Sequence, residues 1–265
     1  MPPAEVIRSR SHPLYKRLAA LKERAEQELC LLEGAKLVEE ALAAGVAIRE
    51  AVAAPKAEAQ RGALLALLRS NGVPVRLFDE SLVSSLSGAE TSQGLIAIAE
   101  RPRGDESDLY AGTPLILVAV AIQNPGNLGA LLRTAEAAGA SGAYLTTGCA
   151  DPYSWKALRG AMGSAFRLPV IGGLSLDDAL ARLQARQVPA VAAVADAAES
   201  YDAFDWRGGV ALLLGNEGAG LPLDVARAAA ARVRIPIAKT VESLNVSAAA
   251  AVLLFEAARQ RRRAT

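Results

Sequence analysis

The run LILVAVA at Leu115–Ala121, followed two residues later by NPGNLGALLRTAEAAG at Asn124–Gly139, decides the fold. An unbroken apolar run reads as a central parallel strand covered on both faces. Asn-Pro-Gly-Asn then ends the strand, and Leu128, Leu131, Leu132 and Ala135 recur at i, i+3, i+4 and i+7. That stripe predicts a helix over Leu128–Ala138 lying on a sheet, with Arg133 off the buried face. Strand, tight corner and helix in that order make the unit of an α/β domain. At such corners backbone N–H groups converge and small side chains leave room for a ligand.

The same character recurs outward from this segment. Gly142–Thr146, Pro189–Val194 and Gly209–Leu214 read as further buried strands, and Ser175–Arg186 and Ser243–Arg262 as helices. Toward the amino end the pattern alternates. Strands are predicted over Glu28–Leu32, Ile48–Ala53, Val73–Phe78 and Gly94–Ala99, with helices over Gly34–Ala44 and Gln60–Ser70. The polar stretch RPRGDESDLYAGT at Arg101–Thr113 separates the two regions. The expected organisation is a small α/β unit over residues 1–103, a connection over 104–112 and a parallel-sheet domain over 113–265. The closing SQGLIAIAE of the first unit offers no acid–base pair, which assigns that unit to binding.

Composition bounds the function. Hydrophobic residues make up 52% of the 265 and aromatics only 4%, so Ala, Leu and Val must build the core, which favours helices on a sheet. Net charge is +1, and bulk charge therefore does not announce a polyanion partner. Its distribution is uneven: Arg8, Arg10, Lys16, Arg17, Lys22 and Arg24 sit near one end, and Arg259, Arg261, Arg262 and Arg263 near the other. Such ends can hold an RNA backbone, although basic tails are more often only solvated. Cys30, Cys149 and the lone His12 make neither a disulfide framework nor a metal cluster, so no metal is expected. Pro114–Ile122 is too short to span a bilayer and no signal peptide is visible, so the chain reads as cytoplasmic with no membrane partner. Neither G-x-G-x-x-G after a strand nor G-x-x-x-x-G-K-[ST] occurs, which removes the dinucleotide and P-loop classes.

Two further corners carry chemistry. In LLLGNEGAGLP, Leu212–Pro222, a strand ends at Gly215 and Glu217 follows on a turn whose Gly218 and Gly220 permit positive φ. A carboxylate there can orient a substrate or simply cap the next helix. In RIPIAKTVESLNVSAAAAVLLFEAAR, Arg234–Arg259, a strand ends at Pro236 and Ser243 is a credible N-cap for the last helix. Asn245 and Ser247 would then lie in its first turn. The alanines Ala248–Ala251 allow close backbone approach, in the core or at a subunit interface. In the first corner, Asn124 can donate and accept, and Arg133 can grip a phosphate near Gly129 or pair with Glu136 on a solvated face.

The order N-P-x-N-x-G-x-x-x-R-T, then G-x-E-G-x-G, then I-P followed by S-L-N-V-S resembles the signature motifs of the SpoU family of RNA ribose 2′-O-methyltransferases, in the SPOUT superfamily. The resemblance covers Leu115–Arg259. It implies a trefoil-knotted α/β methyltransferase domain, a homodimer with the active site near its interface, and S-adenosylmethionine as methyl donor. On that resemblance Thr147, Gly148, Leu214, Gly215, Ile235 and Leu244 would hold the donor, and Asn124, Arg133, Glu217, Ser243 and Asn245 match the polar catalytic positions. The first hundred residues are similar to the small substrate-binding domain of ribosomal-RNA members. That favours ribosomal RNA, 23S in particular, over transfer RNA, and a non-catalytic RNA-binding protein of the same fold is the rival from another class. Lys239 departs from the family pattern, which often places a small residue two positions after I-P-x.

Overall fold

The computed structural model describes residues 5–23, 28–88, 92–216, 218–238 and 240–264. Two compact units emerge: Met1–Pro102 with Tyr153–Phe166, and Arg103–Pro152 with Arg167–Thr265.

The first unit contains β1 (Val6–Ile7), α1 (Pro13–Glu23), β2 (Leu29–Glu33), α2 (Ala35–Ala43) and β3 (Ile48–Ala53). It continues through α3 (Pro55–Gln60), α4 (Gly62–Ser70), β4 (Val75–Phe78), α5 (Glu80–Leu86) and β5 (Leu95–Glu100). Its sheet has the order β1-β4-β3-β5-β2, with β5 antiparallel to both neighbours. Leu14, Leu18 and Leu21 recur at helical spacing on α1 and pack with Leu31, Val52, Phe78, Ile96 and Ile98. Each such fully buried side chain contributes about 1.5–3 kcal/mol. The helix predicted from Gln60 begins at Gly62 instead, because the chain breaks at Arg61 after the separate turn of α3.

The second unit opens with a 3-10 turn, Glu106–Tyr110, inside the stretch expected to serve as a connection. Leu109 is fully buried. Glu106 accepts from the Tyr144 hydroxyl at 2.6 Å and pairs with Arg182, while the Tyr110 and Tyr144 hydroxyls share a hydrogen bond of 2.6 Å. Burial, and then the hydrogen bond to Glu106, hold the Tyr144 phenol far above its ordinary pKa. The turn is therefore fastened to the sheet by contacts remote in sequence.

Then follow β6 (Leu115–Ala119), α6 (Pro125–Ala137), β7 (Gly142–Thr146), α7 (Trp155–Ala161), α8 (Ser164–Arg167), β8 (Val170–Leu174) and α9 (Leu176–Ala185). The last elements are β9 (Ala190–Ala193), β10 (Glu199–Ser200), β11 (Val210–Leu214), α10 (Leu223–Ala228), β12 (Ala231–Arg234) and α11 (Val246–Ala264). The sheet order is β10-β12-β9-β11-β6-β7-β8, and the paired strands run parallel. All of β6, β7 and β11 is buried, as their unbroken apolar runs require. The α/β class with a parallel sheet thus stands. Among the described residues no helix is long and apolar enough to cross a membrane.

Two details differ from expectation. β12 ends at Arg234, before Pro236, because proline has no N–H to continue a ladder. The segment Tyr153–Phe166, inside the stretch expected to form the second domain, packs with the first unit, where α7 lies on β2.

Arg261 closes the far end of α11. Its guanidinium donates to the carbonyls of Trp206 at 3.0 Å, Thr113 at 2.9 Å, Pro114 at 3.0 Å and Gly208 at 2.6 Å. These carbonyls lie at or just before the amino ends of β6 and β11. The terminal arginines are therefore not simply a solvated tail: Arg261 is a clasp, and Arg259 pairs with Glu256.

Candidate active site

At the carboxyl ends of β9, β11 and β12 opens a cavity of about 440 Å³. Leu214, Gly215, Ile235, Ser243 and Leu244 all line it. Residues far apart in the chain thus meet around one space. The size falls within the range of small-molecule sites, about 300–1,000 Å³.

The corner after β11 is built by close backbone approach. A Cβ on Gly215 would lie 2.2 Å from the Gly220 carbonyl carbon and 2.4 Å from the Leu221 nitrogen, so no larger residue fits. Gly220 takes φ +68°, and Asn216 and Gly220 form a backbone bridge that closes the turn. Asn216 does more than sequence reading assigned it. Its Oδ1 accepts from Gly218 N at 2.8 Å and Ala219 N at 3.3 Å, while its Nδ2 donates to Ala121 O at 2.9 Å. It therefore ties the second corner to the end of the β6 segment. Its visible signal was an Asn directly after a strand-ending Gly, a side chain that stabilises turns by bonding its own backbone two residues on.

Thr147 and Gly148 do not line the cavity. They stand at the next strand end, where Thr147 N donates to Leu174 O at 2.7 Å and Gly148 lies beside Ala121. Ala121 N in turn donates to Thr146 Oγ1 at 3.0 Å, which links this corner to the cavity wall through Ala121 and Asn216. Cys149 donates to Ala119 O at 3.2 Å, and burial pushes its thiol pKa up, as befits an inert residue.

The starts of α6 and α11 meet beside the cavity. Asn124 caps α6: its Oδ1 accepts from Gly126 N at 2.8 Å and Asn127 N at 3.1 Å, and Pro125 stands at the first helical position. The helix thus starts earlier than its apolar stripe implied, and Arg133 lies two turns in. Asn245 Nδ2 donates to Asn127 Oδ1 at 3.2 Å, and Ser247 Oγ donates to Asn127 O at 3.2 Å. Asn245 Oδ1 also accepts from Ser247 N at 2.9 Å, and its carbonyl accepts from Ala249 N at 3.0 Å. The cap of α11 is therefore Asn245, not Ser243 as the sequence suggested. The contact with Asn127 fixes the choice, leaving Ser243 exposed on the cavity wall.

Arg133 is exposed and outside the cavity lining. The pairing with Glu136 does not form, because Glu136 takes the Arg167 guanidinium at 2.5 and 2.9 Å. Among the described residues Arg133 has no ion-pair partner. Its fork is therefore available to an anion. Glu217 and Lys239 lie outside the described residues.

The cavity suits a donor with a flat ring and a polar tail. Ile235, Leu244, Leu221 and Val246 supply apolar surface, while the backbone of Leu214–Asn216 supplies polar groups that glycine leaves uncovered.

A model of the SpoU rRNA Methylase family matches residues 114–255, and a model of the MRM3-like substrate binding domain matches 14–97. The chain is 32% identical over 241 residues to the 23S rRNA (guanosine(2553)-2′-O)-methyltransferase RlmP of Bacillus subtilis, covering 91% of this chain and 93% of that one. An AdoMet-bound rRNA methyltransferase from Sinorhizobium meliloti superposes with a TM-score of 0.85 at 33% identity, over 97% of this chain and 98% of that one. The SpoU methyltransferase AviRb from Streptomyces viridochromogenes, in complex with AdoMet, superposes with a TM-score of 0.83 at 26% identity, over 95% and 98%.

Proposed function

We propose, since this chain belongs to the SpoU rRNA Methylase family, that it transfers the methyl group of S-adenosylmethionine to a ribose 2′-hydroxyl of 23S ribosomal RNA. The observation that carries this reading is the convergence of Gly215, Ile235 and Leu244 on one cavity. The donor, when bound, supplies a methyl already activated by the sulfonium charge. The chain then has to hold it, align the hydroxyl and let a proton leave. The backbone around Leu214–Asn216 and the side chains of Ile235 and Leu244 hold the donor, with Thr147 and Gly148 supporting from the neighbouring strand end.

Arg133 binds the phosphate beside the target ribose, and that phosphate assists removal of the hydroxyl proton as the oxygen–carbon bond forms. An arginine stays protonated, so a free guanidine base is the weaker assignment. Asn124, Glu217 and Asn245 orient the ribose and the amino-acid end of the donor, and Ser243 supports them. Because Arg133 lies outside the cavity lining, it acts across a homodimer interface, beside the partner's donor site. The reading also carries a trefoil-knotted chain path, a cytoplasmic location and no required metal.

The test is transfer of labelled methyl to deproteinised 23S RNA and to transfer RNA, with the product mapped as a 2′-O-methyl nucleotide. Labelling of the ribosomal RNA is expected. Labelling of transfer RNA alone moves the substrate, and failure of calorimetry to detect donor binding overturns the enzymatic reading in favour of an RNA-binding protein.

A further inference from the structure

Four residues of the first unit form a group that the methyl-transfer reading leaves unused. Trp155, at the start of α7, has three cations around its ring. Lys22 Nζ stands 5.3 Å from the ring centroid, Arg159 Cζ 5.5 Å and Lys156 Nζ 5.8 Å. Lys156 and Arg159 are exposed, and Lys22 and Trp155 are half-buried. Among the described residues none of the three cations has a carboxylate within salt-bridge distance. The nearby Glu33 is engaged by the Ser87 hydroxyl and the Gly88 amide.

Cations so close to a common centre repel one another, and the repulsion is opposed by the negative face of the indole, about 0.5–1 kcal/mol for each exposed cation. All three lie within one Debye length, about 8 Å, of the ring centre, so their fields add rather than being screened apart. The geometry is also fixed. Lys22 Nζ donates to Ser87 O at 3.0 Å, and Gly88 packs so tightly on the indole that a Cβ there would lie 1.9 Å from the ring. An arrangement that gathers positive charge on a rigid aromatic support, with no carboxylate in salt-bridge contact among the described residues, is complementary to a polyanion.

We propose that Lys22, Lys156 and Arg159, organised by Trp155, form a clamp for the phosphates of a single-stranded RNA segment. The choice of RNA rests on the methyltransferase reading above; the clustering of three cations on Trp155 stands independently of it. Lys22 lies within the stretch matched by the substrate-binding-domain model, whereas Trp155, Lys156 and Arg159 come from the methylase-family stretch. The clamp therefore joins residues from both sequence regions within one packed unit. Trp155 is a positioning residue here, holding the cations rather than touching the phosphate.

The test measures binding of the full chain to a fluorescent single-stranded RNA over a salt series. For the double variant K156Q/R159Q, affinity should fall about tenfold or more, and the slope of log affinity against log salt should flatten by about 1.4, the share of two phosphate contacts on a single strand. The charge-retaining variant K156R/R159K should keep the slope, and W155F should bind more tightly than W155A. Thermal unfolding of each variant reports whether it folds, and for a variant that does not, K22Q supplies the same measurement. Unchanged affinity and slope in folded K156Q/R159Q overturn the clamp. Competition by polyglutamate as effective as that by RNA of equal charge also overturns it, in favour of an acidic protein partner. If the wild-type chain binds RNA through these residues yet methylates none, the clamp stands and the functional reading falls.

Discussion

Arg261 on α11 and Arg133 on α6 are partnered in opposite ways. At the amino ends of the central strands β6 and β11, Arg261 spreads its donors over four carbonyls. Arg133, two turns into α6, stands exposed without an ion-pair partner among the described residues. A guanidinium whose donors are satisfied inside the fold contributes stability, and one whose donors are spare can bind something else. The contrast teaches that hydrogen-bond saturation, not residue type, separates arginines that hold this protein together from those left available to a ligand.

Substituting each in turn should split stability from activity. Arg133→Ala should lower methyl transfer by roughly 10²–10³, the cost of removing one charged donor from a reacting group, with the thermal midpoint unchanged. If single-turnover rates stay at the wild-type level, the contrast fails. Arg261→Ala should cost about 3 kcal/mol because it removes hydrogen bonds to four carbonyls, two of them part-buried, with activity per folded molecule retained. A thermal midpoint lowered by roughly 6–12 °C would register it.

Gly215→Ala sharpens the comparison by disturbing the cavity end without touching charge. Its Cβ has no room beside Gly220, so about 2 kcal/mol of strain and a roughly thirtyfold weaker donor affinity by calorimetry are expected. The smallest effect tests the corrected cap: Asn245→Ala should cost about 1 kcal/mol of stability, and Ser243→Ala close to none. Equal losses in a denaturation series would return the cap to Ser243.

Much of this was legible beforehand. The strands at Ile48–Ala53 and Gly142–Thr146 appear as read, because periodicity reports burial directly. The corners lining the cavity were legible because glycine and asparagine mark backbone that must turn sharply. Choices settled by distant contacts were not. Asn245 and Ser243 are both sound caps in sequence, and only Asn127, on another helix, decides between them. Leu109 is the single leucine of a mostly polar stretch, and its burial depends on packing contributed by the sheet. The packing of Tyr153–Phe166 with the first unit is hidden for the same reason: its partner Gly88 has no side chain to advertise the contact.

The 19 residues of α11 span about 28 Å and connect the wall of the cavity, at Ala249 and Leu253, to the Arg261 clasp. A ribosome emits β11 and its corner before this helix exists. At about 5–20 residues per second, the nascent chain spends seconds with half a pocket and an unfastened sheet. The cavity that would take the methyl donor is therefore incomplete until α11 has been made.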